Sequence, residues 1–109
     1  MLPNRDRAYI TKEKLTNYLL SETHAIGKAK AKFFRSLGYS EENYDQLANA
    51  ILMIVKSESV IQQMTTPYGT KYIVEGNFNT PIGITVRIST VWVVESHDDR
   101  PRFVTAYPV

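Results

Sequence analysis

The sequence contains no cysteine and no long apolar run, and these two absences exclude several classes of protein. Without cysteine the chain has no disulfide framework, no cysteine-based metal site and no thiol nucleophile. No apolar run reaches the roughly 18 residues that a membrane helix needs, and the first seven residues lack the apolar core of a signal peptide. Its two histidines are far apart, so no metal-ligand spacing is recognisable. These absences predict a cytoplasmic protein with no cofactor, no metal site and no membrane partner.

Length and composition predict one folded domain. A chain of 109 residues has a common size for a single domain and no room for a second core. Hydrophobic residues make up 43% and charged residues 22%, close to globular averages, which argues against disorder. We therefore expect a single domain over residues 1–109, either free-standing or excised from a longer secreted protein.

Positive charge is concentrated in the first third of the chain, although the formal net charge is only +2. Residues 1–37 carry eight Lys/Arg against three Asp/Glu, whereas residues 38–58 carry one against four. A basic surface of this kind can meet nucleic-acid phosphates or an acidic partner protein. Basic helices also serve solubility alone, so the charge pattern by itself leaves the partner open.

Apolar periodicity predicts three helices in the first half of the chain. We expect a first helix from a cap at Thr11 to about Leu20, and a second from about residue 28 to residue 37. The third begins near Ser40 and repeats apolar residues every three or four positions as far as Val55. Gly38 follows the second helix, where a C-terminal cap belongs.

From residue 60 the apolar period changes to two, which predicts four strands at about 60–65, 71–78, 84–95 and 102–107. Helices that precede strands joined by short turns predict an α+β fold. In it, about three N-terminal helices pack on one face of a four-stranded antiparallel meander sheet. The residues expected in the shared core are Tyr44, Leu47, Ile51, Leu52, Ile88 and Trp92.

The segment from His24 to Lys32 alone combines a titratable base with clustered cations. Histidine suits proton transfer near neutral pH, and a position just before a helix places it beside outward-facing amides. Lys28 and Lys32 share one helix face, whereas Lys30 points toward the side that carries the phenylalanines. Without further information the residues favour the alternative, a loop histidine beside a solvated lysine face.

The open face of the predicted sheet supplies the second candidate. Arg87 and Thr105 can project together from the last two strands, with Tyr107 and Lys71 near the strand ends. A cation beside hydroxyl groups on a concave sheet is a suitable cradle for phosphate. The alternative is that alternate residues are polar wherever a sheet meets water. No Gly-rich phosphate loop, paired-carboxylate motif or Ser/His/Asp constellation has recognisable spacing, which argues against enzymes of those classes.

Three runs of the sequence together resemble a family of small uncharacterised bacterial domains, and the resemblance covers nearly the whole chain. The runs are Leu2-Pro3-Asn4 with Lys14-Leu15…Tyr18-Leu19-Leu20, then His24-x-x-Gly27-x-x-Lys30-Ala31-Lys32-Phe33-Phe34, and finally Thr66-Pro67-Tyr68-Gly69 through to Val104-Thr105-Ala106-Tyr107-Pro108.

Helices followed by a meander that ends in Val-Thr-Ala-Tyr-Pro also resemble the barnase–EndoU–colicin–RelE group of metal-independent ribonucleases. This resemblance implies RNA cleavage by a bacterial toxin, with a small acidic antitoxin or immunity protein as partner. It implies a site made of a basic or histidine side chain near the helices and of strand residues, among them the final-strand Thr105. The chain departs from barnase itself, because no catalytic glutamate–histidine pair can be placed on the sheet.

We therefore hypothesise a metal-independent endoribonuclease of the toxin type. In this hypothesis His24 is the general base or acid, and Lys30 and Arg87 neutralise the transition state. Thr105 and Tyr107 position the phosphate, and the substrate-binding residues are Tyr107 and Lys71. The alternative is a non-catalytic binding module, either an immunity- or antitoxin-like partner or a nucleic-acid-binding accessory.

Overall fold

The computed structural model describes residues 1–25 and 27–109 and has the predicted α+β fold, with three N-terminal helices followed by a four-stranded antiparallel meander. Ile26, in the predicted break between the first two helices, lies outside the described residues. No helix in the described ranges is long and apolar enough to cross a membrane. The helical elements are a 3-10 helix (Arg5–Arg7), α1 (Lys12–Lys14), a π-helix that continues α1 (Leu15–Leu19), α2 (Lys28–Ser36) and α3 (Tyr44–Ser57). The strands are β1 (Val60–Thr66), β2 (Gly69–Asn79), β3 (Thr85–Glu95) and β4 (Asp98–Pro108).

Local capping explains where the helices begin and end. The Thr11 hydroxyl accepts a hydrogen bond from the backbone amide three residues later and starts α1, as predicted. Gly38 adopts a φ of 99° just after α2, a left-handed conformation that favours glycine. Helix α3 begins at Tyr44 rather than near Ser40, because the Asn43 side chain accepts the Ser40 amide at 2.7 Å and closes a turn first.

The predicted first helix changes its winding halfway. The Leu20 amide bonds to the carbonyl of Leu15, five residues earlier, at 2.8 Å, which defines a π-helical turn. This turn buries Leu15, Leu19 and Leu20 but leaves Tyr18 only half-buried. The apolar stripe expected of a regular helix is therefore interrupted at Tyr18.

The sheet has the order β1–β2–β3–β4 with every neighbouring pair antiparallel. Strand β4 begins four residues earlier than predicted, because a two-residue turn pairs Glu95 with Asp98. Further along, Trp92 faces Phe103 while Val91 faces Thr105, so one residue of β4 is left over as a β-bulge.

The core lies between α3, the π-helix and one face of the sheet. Leu47, Ile51, Ile88 and Trp92 are buried together, as predicted. The two other expected core residues, at positions 44 and 52, are partly buried against this cluster. The prediction of Trp92 as a core residue is confirmed, since its ring is fully buried.

A threonine on the apolar face of β3 satisfies the polar atom of the buried tryptophan. Thr90 Oγ1 accepts a hydrogen bond from Trp92 Nε1 at 2.8 Å and donates one to the Val74 carbonyl at 2.7 Å. Thr90 is itself fully buried. Because a buried indole N–H without an acceptor is costly, this hydroxyl is required where alternation alone would favour an aliphatic residue.

Thr90→Val should therefore lower the free energy of unfolding by about 1–3 kcal/mol, since it leaves the indole N–H without its acceptor. Urea unfolding followed by tryptophan fluorescence measures the change. The control is Thr70→Val, which removes a half-buried strand hydroxyl that has no hydrogen-bond partner among the described residues. Equal stability of the two variants would contradict this account of the core.

Candidate functional site

Three of the predicted site residues converge on Tyr18. The phenol oxygen lies 3.0 Å from Thr105 Oγ1, and the His24 imidazole packs edge-to-face on the phenol ring with centroids 5.2 Å apart. Lys30 Nζ lies 5.8 Å from the ring centroid, and Lys14 Nζ lies 4.9 Å from it. We call these five residues the Tyr18 cluster.

The loop between α1 and α2 orients the His24 ring. The backbone amide of His24 donates to Ser21 Oγ at 3.2 Å, and His24 Nδ1 accepts the Gly27 amide at 3.0 Å. A neutral imidazole whose Nδ1 is an acceptor carries its proton on Nε2. With Nδ1 accepting from Gly27, a neutral His24 ring presents its N–H group at Nε2.

Gly27 holds this loop against the π-helix. A Cβ atom at Gly27 would lie 2.4 Å from the Tyr18 carbonyl oxygen, far closer than atoms in contact allow. The close approach of the two backbones sets the position of His24 beside the Tyr18 ring. Gly27 has an ordinary right-handed backbone conformation that any residue can adopt. Glycine is therefore required at this position because a side chain would not fit.

Arg35 fastens α2 to the end of the π-helix. Its Nε atom donates to the Leu20 carbonyl at 2.8 Å, and its guanidinium pairs with Glu22 at 3.1 Å and with Glu41. The pKa of Glu41 is lowered, first by a hydrogen bond from its own backbone and then by Arg35. These contacts anchor the helix that carries Lys30.

The β-bulge positions Thr105. Val104 is the extra residue of β4, between Phe103, which pairs with the core-facing Trp92, and Thr105. A bulge re-aims the side chain next to it and often lies beside a functional site. Here the re-aimed hydroxyl is the one that meets Tyr18.

Arg87 lies outside the Tyr18 cluster. It is four residues along β3 from Val91, the strand partner of Thr105, which corresponds to about 13 Å. Its guanidinium pairs with Glu75 at 3.7 Å and approaches Asn77 Oδ1 at 3.5 Å. The predicted convergence of Arg87 with Thr105 on a single group is therefore not seen among the contacts of this structure.

Tyr107 and Lys71 are the two predicted substrate-binding residues, and they pair with different positions along β3. Tyr107 is 37% exposed and faces Ser89, which in turn faces Glu75. Ser89 is 1% exposed, and its Oγ has no hydrogen-bond partner in the described part of the chain. Lys71 is exposed near the start of β2, opposite Val93.

Lys14 and Lys30 give the Tyr18 cluster its positive charge. Within residues 1–25 and 27–109, neither Lys14 nor Lys30 forms an ion pair. The same ranges contain no group of three His, Asp or Glu side chains placed to hold a metal ion. Two ammonium groups, an imidazole donor and a hydroxyl around one aromatic ring suit an anionic ligand such as a phosphate diester.

Comparison with known proteins identifies the family. A family model described as a domain of unknown function, DUF6883, matches residues 1–109. The chain belongs to the DUF6883 family. This whole-chain match agrees with the expectation of a family of small domains, and no curated protein matches the sequence.

The DUF6883 domain is also similar in structure to a chain of a contact-dependent growth inhibition toxin–immunity protein complex from Klebsiella pneumoniae 342. The TM-score is 0.75, the sequences are 21% identical, and the match covers 95% of each chain. At this level of identity the likeness establishes a shared fold.

Sequence patterns did not single out Tyr18, Lys14, Glu75 or Ser89 as site residues of the DUF6883 domain. Tyr18 fits the apolar stripe of a regular helix, and only the π-helical turn takes it out of that stripe. The polar alternation of β2 and β3 could have placed Glu75 and Ser89 on the face of Arg87. The contact of Lys14 with the Tyr18 ring depends on how α1 lies against its neighbours.

Gly27→Ala should destabilise the domain by about 1–3 kcal/mol, because the added methyl group overlaps the Tyr18 carbonyl. It should also weaken the nuclear Overhauser effects between the Tyr18 and His24 rings. Lys28→Ala, at the next residue, is exposed and should change stability by no more than about 0.5 kcal/mol. Parental stability and unchanged ring contacts in Gly27→Ala would show that the backbone approach does not position His24.

Proposed function

We propose that this DUF6883 domain is a metal-independent endoribonuclease of the bacterial toxin type that cleaves RNA at the Tyr18 cluster. The observation that carries the proposal is the convergence of His24, Lys30 and Thr105 on one tyrosine. These three residues come from the loop, from α2 and from the last strand, and all three were predicted for the site from sequence. The fold shared with a chain of a toxin–immunity complex supports a role in such a system.

The chemistry proposed for the cluster is attack of the ribose 2′-hydroxyl on the adjacent phosphorus. A bond from O2′ to phosphorus forms and the bond to O5′ breaks, which leaves a 2′,3′-cyclic phosphate. O2′ gives its proton to solvent water, and O5′ must gain a proton. His24 carries its proton on Nε2 and is suited to donate it to this leaving oxygen. Lys30 and Lys14 add positive charge where negative charge develops on the phosphate, and Thr105 donates a hydrogen bond to it.

Arg87, Tyr107 and Lys71 have a different role in this proposal. The separation of about 13 Å along β3 favours contact of Arg87 with a phosphate that flanks the scissile one. Tyr107 lies between the Arg87 end of the sheet and Thr105, so that RNA bound along β4 passes over its half-exposed ring. Stacking of a base on such a ring contributes about 1–3 kcal/mol to binding.

His24→Ala should lower kcat for RNA cleavage by about 10²–10⁴-fold, as expected on removal of a proton donor. Lys30→Ala should lower it by about 10²-fold, because a charge that stabilises the transition state is lost. Lys28→Ala is the matched control on the same helix. The Lys28 backbone amide donates to the His24 carbonyl at 3.0 Å, a bond that alanine keeps, and its side chain has no hydrogen bond, ion pair or ring contact among the described residues. Circular dichroism checks the fold, and structured and single-stranded RNAs serve as substrates.

Full activity in a folded His24→Ala protein would rule out the histidine mechanism. Arg87→Ala gives a separate result, since a flanking-phosphate contact raises KM and leaves kcat nearly unchanged. A parent protein that cleaves none of the RNAs would favour the second candidate function.

That second candidate is a non-catalytic module that binds a partner protein, and the exposed edge of the sheet favours it. Strand β1 lies at the sheet edge, contains no charged residue, and is exposed from Ile61 to Thr66. The apolar side chains of Ile61 and Met64 are more than one third exposed. An open, uncharged edge strand is a template for a strand from another protein. In this interpretation the domain is the immunity- or antitoxin-like partner.

If β1 binds a partner, the domain should form a complex with the protein encoded beside it. Ile61→Lys combined with Met64→Lys should abolish that complex, because charges on an edge strand oppose strand addition. His24→Ala is the control and should leave the complex intact. Size-exclusion chromatography of the co-expressed pair measures both. A complex that survives the two lysines would exclude β1 as the interface.

A further inference from the structure

Two irregularities of the backbone meet at a single hydrogen bond. Tyr18 lies in the π-helical turn after α1, and Thr105 directly follows the bulge residue of β4. Their hydroxyl oxygens are 3.0 Å apart. A π-turn and a bulge each disrupt a regular hydrogen-bond pattern, and both are found often at functional sites. Packing alone needs neither, because a regular helix would place residue 18 on the stripe of the buried leucines.

The direction of this hydrogen bond follows from the chemistry of its two hydroxyls. Each hydroxyl has one proton, so only one of them donates to the other. A phenol is the stronger donor and the weaker acceptor, because its oxygen lone pair is delocalised into the ring. This chemistry favours Tyr18 as the donor and Thr105 as the acceptor. Neither hydroxyl has another hydrogen-bond partner among the described residues, so the Thr105 proton remains for a third group.

The surroundings define that third group. The ammonium nitrogens of Lys14 and Lys30 lie 4.9 and 5.8 Å from the Tyr18 ring centroid, and the described residues give neither an anionic partner. An acceptor that approaches Thr105 thus enters a positive field, which favours an anionic oxygen. Thr105 is half-buried, so its hydroxyl is reachable from solvent while partly shielded from competing water.

We propose that Tyr18 is a positioning residue, which donates its phenol proton to Thr105 and thereby turns the Thr105 O–H toward a phosphate oxygen. The proposal rests on the proposed ribonuclease function and names the group that orients its phosphate donor. Tyr18 itself does not touch the phosphate. Its ring also serves as the surface against which the His24 imidazole packs, so one side chain orients both the hydroxyl and the proton donor.

A double-mutant cycle of Tyr18→Phe and Thr105→Val tests this role. Each single variant should lower kcat/KM for RNA cleavage by about 5- to 10-fold, the value of one hydrogen bond. The double variant should be no slower than the slower single variant, because both changes remove the same hydrogen-bond chain. Tyr44→Phe is the matched control, since Tyr44 is also partly buried beneath a lysine, with Lys12 Nζ 5.3 Å from its ring centroid.

A second readout, the affinity for inorganic phosphate measured by calorimetry, separates this inference from the proposed function. Both single variants should weaken phosphate binding by about 5- to 10-fold, and again non-additively. If the parent cleaves no RNA but shows this pattern, the ribonuclease proposal fails and the role of Tyr18 stands. The inference is overturned by parental kcat/KM and parental phosphate affinity in Tyr18→Phe, by additive effects in the cycle, or by a parent that neither cleaves RNA nor binds phosphate.

Discussion

Burial of the Trp92 ring between the helices and the sheet is the constraint on which the rest of the molecule depends. The ring packs edge-to-face on Phe103 and is enclosed completely, so its N–H must find an acceptor inside the core. Thr90 supplies this acceptor and at the same time bonds the neighbouring strand β2. Because this face of the sheet is closed by apolar packing, polar chemistry is confined to the other face and to the side where β4 meets the first two helices.

The regular elements of this domain build its core, whereas the irregular ones surround Tyr18. The unshifted β2–β3 pairing and the long helix α3 build the core, where repeating apolar faces suffice. The π-turn, the Gly27 approach and the bulge in β4 each cost regular contacts, and all three lie around Tyr18. Irregular backbone concentrated in this way is typical of a site that must hold a few side chains in fixed positions.

Two surfaces of the domain suit different ligands, and these surfaces are the Tyr18 cluster and the edge strand β1. The Tyr18 cluster presents an oriented imidazole and two ammonium groups that have no ion pair among the described residues, and these groups suit a phosphate diester. Strand β1 presents an uncharged open edge, which suits another protein chain. A toxin needs both surfaces, one for its substrate and one for its immunity protein, whereas an immunity protein needs only the second.

The sequence by itself determined the fold class, the strand order and the burial of Trp92, because apolar periodicity and short turns depend only on neighbours along the chain. It also marked His24, Lys30 and Thr105 by residue type and family resemblance. Only the tertiary structure decided that these three meet at Tyr18 and that Arg87 pairs with Glu75 instead. Their meeting depends on a π-turn and a bulge, and a one-residue change in winding or register has no signature in a periodic pattern.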